Sequence, residues 1–289
     1  MNPAEPRAGG AGSASEFHWT SASCSHPGRV REVNEDACLE QPHCNVWAVA
    51  DGMGGHTLGE FASRLAIKSL MDLMDTADPV DLVDPLDPVD PTRAAANLDA
   101  LVATAHERLR QTNSRLRAEA ARRDVPIIGT TIAVLLAAGR RGACVWAGDS
   151  RIYRYRAGRL QQLTRDHSQL EAVRSQHVGS ADDTLVRPPP NVITRALGGD
   201  EALELDSVTV DVLDGDLFLL CSDGLSNELS EVAIEQALLP GGCKLACETL
   251  LELALERGAR DNVTAVVVRA DDLSSPDRTA QHPVLNPGP

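Results

Sequence analysis

Val46-Trp47-Ala48-Val49-Ala50 is apolar at every position and runs directly into Asp51-Gly52-Met53-Gly54-Gly55-His56. An uninterrupted apolar run of this length predicts a strand buried on both faces. Beyond the turn, Leu65, Ile67, Leu70 and Leu73 recur at roughly helical spacing within Ser63 to Met74, so a helix is expected there. A buried strand thus delivers one carboxylate into a glycine-rich turn ahead of a helix. Glycines at 52, 54 and 55 let the backbone take unusual conformations and bring a carbonyl close to an ion or phosphate. Asp-Gly is also a common turn dipeptide, and this stretch alone does not separate a corner from a site.

The chain of 289 residues, 43% of them hydrophobic, suits one large domain or two small ones. Its formal net charge of -15 disfavours nucleic acid as a partner, because a duplex binder needs a basic face. No apolar run is long enough to span a membrane, and Met1 to Ser15 lacks an apolar signal core, so no membrane association is expected. The seven cysteines are odd in number and contain no CxxC pair; Cys144 and Cys221 lie in strand-like runs. Reduced, packed thiols and a cytoplasmic location follow, and the Cys243/Cys247 pair has no histidine to complete a zinc set.

Residues 1–15 read as a disordered leader, 16–270 as the structured domain, and 271–289 as a second disordered tail. Within the domain an acidic insert spans 76–92, where Asp78, Asp81, Asp84, Asp87 and Asp90 recur every third residue among prolines. That period fits a polyproline-II arm or a solvated acidic loop, and neither helix nor strand. A long helix is expected over 92–123, with Leu98, Leu101, Val102, Ala105, Leu109 and Leu116 on one side. Strands are predicted over Thr130–Leu136 and Gly142–Ser150, the latter closing on a carboxylate, and a hairpin over 151–163 turns at Ala157-Gly158. Residues 166–190 form a polar, proline-terminated segment with no sustained period, expected to be mobile. Strands resume at Asn191–Arg195, Leu203–Val212 and Asp216–Cys221, helices follow over 230–239 and 243–257, and Val263–Val268 is the last strand.

Asp51, Asp149 and Asp223 each stand at the end of an apolar strand, while Asp36 and Asp261 stand at the start of one. In an antiparallel sheet, strand ends and neighbouring strand starts share an edge. Five remote carboxylates can therefore meet at one rim, with Glu35 beside them, and would repel strongly unless cations held them. All-oxygen ligation selects hard ions such as Mg²⁺ or Mn²⁺. Arg31 lies within reach of the same rim and offers a guanidinium fork suited to two phosphate oxygens, with Arg29 as a rival.

The segments Ser25…Gly28…Arg31…Asn34-Glu35-Asp36, Asp51-Gly52-Met53-Gly54-Gly55-His56, Gly129-Thr130-Thr131, Gly148-Asp149-Ser150-Arg151, Asn191 to Gly198, Ser222-Asp223-Gly224-Leu225 and Asp261-Asn262-Val263-Thr264 occur in the order found in metal-dependent protein phosphatases of the protein phosphatase 2C type. Over about residues 17–269 the chain resembles the bacterial branch of that family. The resemblance implies an α+β fold: a four-layer α-β-β-α sandwich with two antiparallel sheets face to face and helices outside. It implies two Mn²⁺ or Mg²⁺ ions, with a third in bacterial enzymes, and hydrolysis of phosphoserine and phosphothreonine by a metal-activated water without a phosphoenzyme. By position, Asp51 would bridge two metals, with the Gly52 carbonyl on one of them. Asp223 and Asp261 would hold the other, and Glu35 and Asp36 would act mainly through water. Asp149, together with Asp223, would serve the third ion, and Arg31 would grip the substrate phosphate. Segment 166–190 corresponds to the family's flap. Met53 stands where eukaryotic relatives place a histidine, so the general acid is unassigned, and His56 is as readily a turn cap. The flap ends in Arg187-Pro188-Pro189-Pro190, where many bacterial relatives carry a His-Pro pair.

The expected protein is a monomeric, cytoplasmic protein serine/threonine phosphatase. Its partners would be phosphorylated proteins, a cognate serine/threonine kinase and that kinase's substrates among them. The alternative is a non-catalytic module of the same fold that binds phosphoproteins or a kinase.

Overall fold

A computed structural model of the chain describes residues 17–55, 57–71, 73, 91–176, 192–239 and 242–273. The leader, His56, most of the acidic insert, the end of the flap and the tail beyond 273 lie outside them.

Eleven strands and six helices follow in order: β1 (Phe17–His26), β2 (Asp36–Gln41), β3 (Val46–Met53), α1 (Thr57–Met71), α2 (Pro91–Arg123), β4 (Gly129–Thr130), β5 (Ile132–Ala138), β6 (Arg141–Ala147), β7 (Arg151–Arg156), β8 (Arg159–Gln162), α3 (Gln169–Gln176), β9 (Asp206–Asp211), β10 (Leu217–Cys221), α4 (Asp223–Ser226), α5 (Glu231–Leu238), α6 (Cys243–Glu256) and β11 (Val263–Asp272). One sheet has the order β1-β11-β10-β7-β8, the other β2-β3-β5-β6-β9 with β4 beside β3.

Alternation along β3 explains the layers. Trp47 and Val49 enter the core between the sheets with Trp19, Trp146 and Phe218. Val46, Ala48 and Ala50 face the other way, into a core shared with the apolar sides of α1 and α2. A third core packs β10 and β11 against α5 and α6. The chain is only 3% aromatic, yet its tryptophans concentrate at the sheet–sheet interface, where the Trp19 and Trp47 rings are 5.1 Å apart. Each such ring buries on the order of 200 Å², worth about 5 kcal/mol of transfer free energy, so a few aromatics hold the two sheets together. The expected α-β-β-α sandwich is the observed fold.

Several boundaries differ from the sequence reading. Helix α1 begins at Thr57, six residues ahead of its apolar run. Its first turn lies against β3, where a Cβ on Gly59 would strike the Glu35 carboxyl and one on Gly52 would strike the Gly59 carbonyl. Contact at that distance admits only glycine, which hides the helix from a hydrophobic count. The strand expected over Thr130–Leu136 breaks at Thr131, whose backbone and hydroxyl both bond Asp51. Asn191 lies outside the described residues, and 192–195 are not a strand; Ile193 makes a single bridge with Ser168. Strand β11 continues through Asp271 and Asp272, which pair with His18 and Phe17 where a loose tail was expected. At the hairpin, Ala157 and Gly158 both take positive φ, 48° and 77°, the twist a tight two-residue turn requires.

At the end of the sandwich away from Asp223, Arg156 closes β7 and donates to both oxygens of Asp216, whose side chain is fully buried. It also donates to the Asp211 carbonyl on the other sheet (2.8 Å). Removing the cation strands a buried carboxylate, so Arg156→Ala is expected to lower unfolding free energy by about 3–5 kcal/mol in urea titration. A loss under about 1 kcal/mol would mean that the pair behaves as an exposed one.

Candidate active site

Strand pairing brings the predicted acids together. Asp36 opens β2 directly opposite Asp51 near the end of β3. Asp149 follows β6, Asp223 follows β10, and Asp261 precedes β11, which is paired with β10. Loss of solvation raises the Asp51 carboxyl well above its ordinary range, and the charges of Asp36, Asp223, Asp149 and Asp261 add to that rise. Asp36 is pushed up to about 7 by burial first, against hydrogen bonds from Thr264 and Ser222 that favour its charged form. Asp149 also reaches about 7, through burial and the Asp223 charge. Asp223 is raised by burial and by Asp261, and it shares a hydrogen bond with Asp51. The acids perturb one another, so they occupy one site.

Neutral side chains hold these acids in place. Ser222 donates to Asp36 Oδ2 (2.8 Å) and accepts from the Thr264 amide (3.0 Å). Thr130 donates to the Asp51 carbonyl (2.9 Å), while Thr131 Oγ1 accepts from the Asp51 amide (3.0 Å) and reaches Ser150 Oγ (2.7 Å) beside Asp149. Gly148 makes that approach possible at φ 113°, since a Cβ there would strike Thr131. Asn262 accepts from the Glu35 amide and donates to the Pro27 and Val33 carbonyls, pinning the loop that carries Arg31. These residues lie inside the sequence motifs, beside the acids and not among the expected ligands. Hydroxyl and amide side chains flanking a strand-end aspartate were the available signal.

Arg31 Nη2 donates to Asp261 Oδ2 (2.8 Å), and Asp261, Glu35 and Asp51 all strengthen its positive charge. Its rival Arg29 is committed elsewhere, donating to the Leu255 carbonyl at the end of α6 (2.7 Å). Of the two, only Arg31 faces the acids.

The flap begins with an unforeseen ion pair and helix. Asp166 accepts from Arg151 Nε (2.9 Å) and Nη2 (2.7 Å) at the mouth of a cavity of about 160 Å³ that Asp149, Asp223 and Asn227 also line. His167 exchanges bonds with Gly148, its amide donating to the Gly148 carbonyl (2.8 Å) and its Nδ1 accepting from the Gly148 amide (3.2 Å). Ser168 Oγ then accepts from the Glu171 amide (3.2 Å) and starts α3 over 169–176, where a polar segment without regular structure was expected. Ser168-Gln169-Leu170-Glu171 has the Ser-x-x-Glu form of a helix capping box, a legible signal that the absence of apolar periodicity concealed.

A protein phosphatase 2C model matches residues 25–250. The chain is 36% identical over 252 residues to the serine/threonine protein phosphatase PstP of Mycobacterium tuberculosis, covering 87% of this chain and 45% of that protein. It therefore spans about half the length of that relative. A structure of PppA, described as a key regulatory component of T6SS in Pseudomonas aeruginosa, superposes with TM-score 0.75 at 40% identity, over 89% of this chain and 99% of that one. The catalytic domain of PstP in complex with two manganese ions superposes with TM-score 0.72 at 34% identity, over 89% and 100% of the two chains. The chain belongs to the protein phosphatase 2C family.

That family implies divalent cations. Among the described residues no ready-made cluster of three or more His, Cys, Asp or Glu donors stands at metal-holding geometry. The donors that do converge are carboxylates, the hard-oxygen chemistry that Mn²⁺ and Mg²⁺ take. Asp36 Oδ1 is buried with no hydrogen-bond partner among the described residues, an acceptor suited to a cation or its water. The residues fit the group.

A pH dependence follows. Between the ordinary carboxyl value of 3.8 and about 7, Asp36 and Asp149 keep protons in the fold that the unfolded chain has released. Stability of the chelated protein is then greatest below that window and falls as pH rises through it, by up to about 1.4 kcal/mol per pH unit for each group. In denaturant titrations with chelator from pH 4 to 7, Asp36→Asn is expected to flatten this slope, and Mn²⁺ to restore stability at pH 7. Identical slopes for the variant and the natural chain would remove Asp36 from the coupled set.

Proposed function

We propose that this chain is a Mn²⁺- or Mg²⁺-dependent phosphatase that hydrolyses phosphoserine and phosphothreonine in proteins. The observation that carries the reading is the convergence of Asp36, Asp51, Asp149, Asp223 and Asp261, with Arg31 over them, at one sheet edge of a protein phosphatase 2C fold. Asp51 and the Gly52 carbonyl would hold the cations, with Asp223 and Asp261 as further ligands. Asp149 with Asp223 would serve a further cation, and Glu35 and Asp36 would act through water. When bound, such cations supply Lewis-acid activation of water and offset charge on the phosphoryl group.

The remaining steps belong to the chain. Ser222 fixes the Asp36 carboxylate through Oδ2 and leaves the buried Oδ1 without a partner among the described residues. Thr130 and Thr131 fix the backbone of Asp51 from both sides, so its carboxylate would meet a cation without reorganising. Arg31 keeps one guanidinium nitrogen on Asp261, leaving other donors of its fork for two phosphate oxygens. Its half-exposed side chain lies where a substrate segment can reach it. Met53 has no proton to donate, so the leaving alcohol takes its proton from another source.

Phosphorylated proteins are the substrate class, with a serine/threonine kinase and its targets as the first candidates. The similarity to PppA makes components of a secretion system the first setting to try. Seven free cysteines, and the lack of a helix long and apolar enough to cross a membrane among the described residues, support a cytoplasmic location.

Phosphate release from a phosphothreonine peptide is expected with Mn²⁺ and absent after chelation. Asp51→Ala should abolish turnover and weaken Mn²⁺ binding in calorimetry together. A folded, Mn²⁺-saturated sample without release would favour the non-catalytic phosphoprotein-binding module. Arg31→Ala is expected to raise KM about tenfold or more for the loss of a charge-assisted bidentate contact, with a smaller change in kcat. An unchanged KM would return the phosphate-binding role to Arg29.

A further inference from the structure

Two thiols that phosphoryl transfer leaves unused meet behind the catalytic rim. Cys24 on β1 and Cys247 on α6 face each other across the packing of that helix on its sheet. Cys24 Sγ lies 3.3 Å from the Cys247 carbonyl oxygen, and Cys247 Sγ lies 3.1 Å from the Ala22 carbonyl oxygen one pleat along β1. Both thiols donate to those carbonyls, and the contact between them holds Cys24 below the ordinary thiol range and pushes Cys247 up. Cys24 is half-buried, while Cys247 is buried. One thiol is the more exposed of the two, and its neighbour lies beside it to resolve it.

The other cysteines near this pair are poorly placed to compete. Cys38 packs into the core between the sheets, on the opposite face of β1 from Cys24. Cys243 sits one helical turn back, its sulfur 3.5 Å from the Thr20 carbonyl oxygen. Four strand residues separate Thr20 from Cys24, about 13 Å at the usual rise.

We propose that Cys24 and Cys247 are an oxidation site that closes to a reversible disulfide in the presence of a peroxide. The Cys24 thiolate attacks one peroxide oxygen, the O–O bond breaks, hydroxide leaves, and a sulfenic acid forms at Cys24. Cys247 sulfur then attacks Cys24 sulfur; the S–S bond forms, the S–OH bond breaks, and water leaves with the Cys247 proton. Two sulfurs lose two electrons to the peroxide, which ends as two waters. In a reducing compartment such a bond is transient, as a sensing bond must be.

The bond bears on the site through one residue. Ser25, next to Cys24, has its Oγ 2.8 Å from Thr264 Oγ1 and accepts from Asn34 Nδ2 (2.8 Å). Asn34 Oδ1 in turn accepts from the Asp36 amide (3.2 Å). Drawing residue 24 toward α6 pulls on the strand that anchors Asp36, so oxidation lowers phosphate release, a consequence that rests on the phosphatase reading above.

The test treats the reduced, chelated full chain with hydrogen peroxide, removes the peroxide, and maps peptides without reductant. The expected result is a peptide linking Cys24 to Cys247, about 2 Da lighter than its two parts for the two hydrogens lost, that dithiothreitol separates. After Mn²⁺ is returned, phosphate release should be lowered and should recover with dithiothreitol. Cys24→Ser and Cys247→Ala, checked for an unchanged melting temperature, should keep their release and lose the peroxide response. No linked peptide, or a link from Cys24 to Cys38, would overturn the proposal. So would a Cys24→Ser protein as sensitive as the natural chain. A Cys24–Cys247 bond with undiminished release would sever the site from the rim. A chain that releases no phosphate before peroxide would instead sink the phosphatase reading, while the peptide map still decides the disulfide.

Discussion

Mutual repulsion among Asp36, Asp51, Asp149, Asp223 and Asp261 is the constraint on which the rest of this molecule depends. Carboxylates that close, partly withdrawn from water, cost stability unless protons or cations neutralise them. The raised affinities of Asp36 and Asp149 for protons are the visible form of that cost. The scaffold has to absorb it, and the three apolar cores, two outside the sheets and one between them, do so. Trp19, Trp47 and Phe218 bury large rings between the sheets, and Arg156 ties the sheets at the end remote from Asp223. The stabilising contacts and the destabilising acids thus occupy different ends of the same strands.

Precision at the rim comes from uncharged groups. Ser222, Thr264, Thr130, Thr131 and Asn262 each hold an acid, its backbone or the loop beside it by short hydrogen bonds. A neutral donor orients a carboxylate without cancelling the charge that a cation needs. Arg31 is the exception, and its pairing with Asp261 places a cationic fork at the mouth of the site. On the neighbouring side, the Arg151–Asp166 pair and the His167–Gly148 exchange fasten the start of the flap beside Asp149. The residues proposed to handle substrate and those proposed to hold cations therefore share a wall.

Much of this was legible from local pattern. The apolar run at 46–50, the long helix over 91–123 and the hairpin at Ala157-Gly158 follow from side-chain period and turn chemistry, which neighbours in sequence decide. Aspartates at strand ends indicated a shared edge because antiparallel pairing puts those positions side by side. The start of α1 was hidden, since Gly59 answers to the Glu35 carboxyl and the Gly52 backbone pressed against it. The ordered root of the flap was hidden too, because its helix is started by Ser168 capping and not by an apolar stripe.

The sequence by itself determined the residue types, their order and the chemistry they can support: hard-oxygen donors, one candidate phosphate-binding arginine region, and two sheets covered by helices. Tertiary structure alone decided which arginine faces the acids, because Arg29 and Arg31 are two residues apart and differ only in whether the end of α6 or Asp261 lies within reach. It also decided that Cys24 meets Cys247, 223 residues away, with Cys38 on the opposite face of the strand. Composition and period carry information along the chain. Which groups share a few cubic ångströms is set by how strands pair and layers stack, and no single segment contains that.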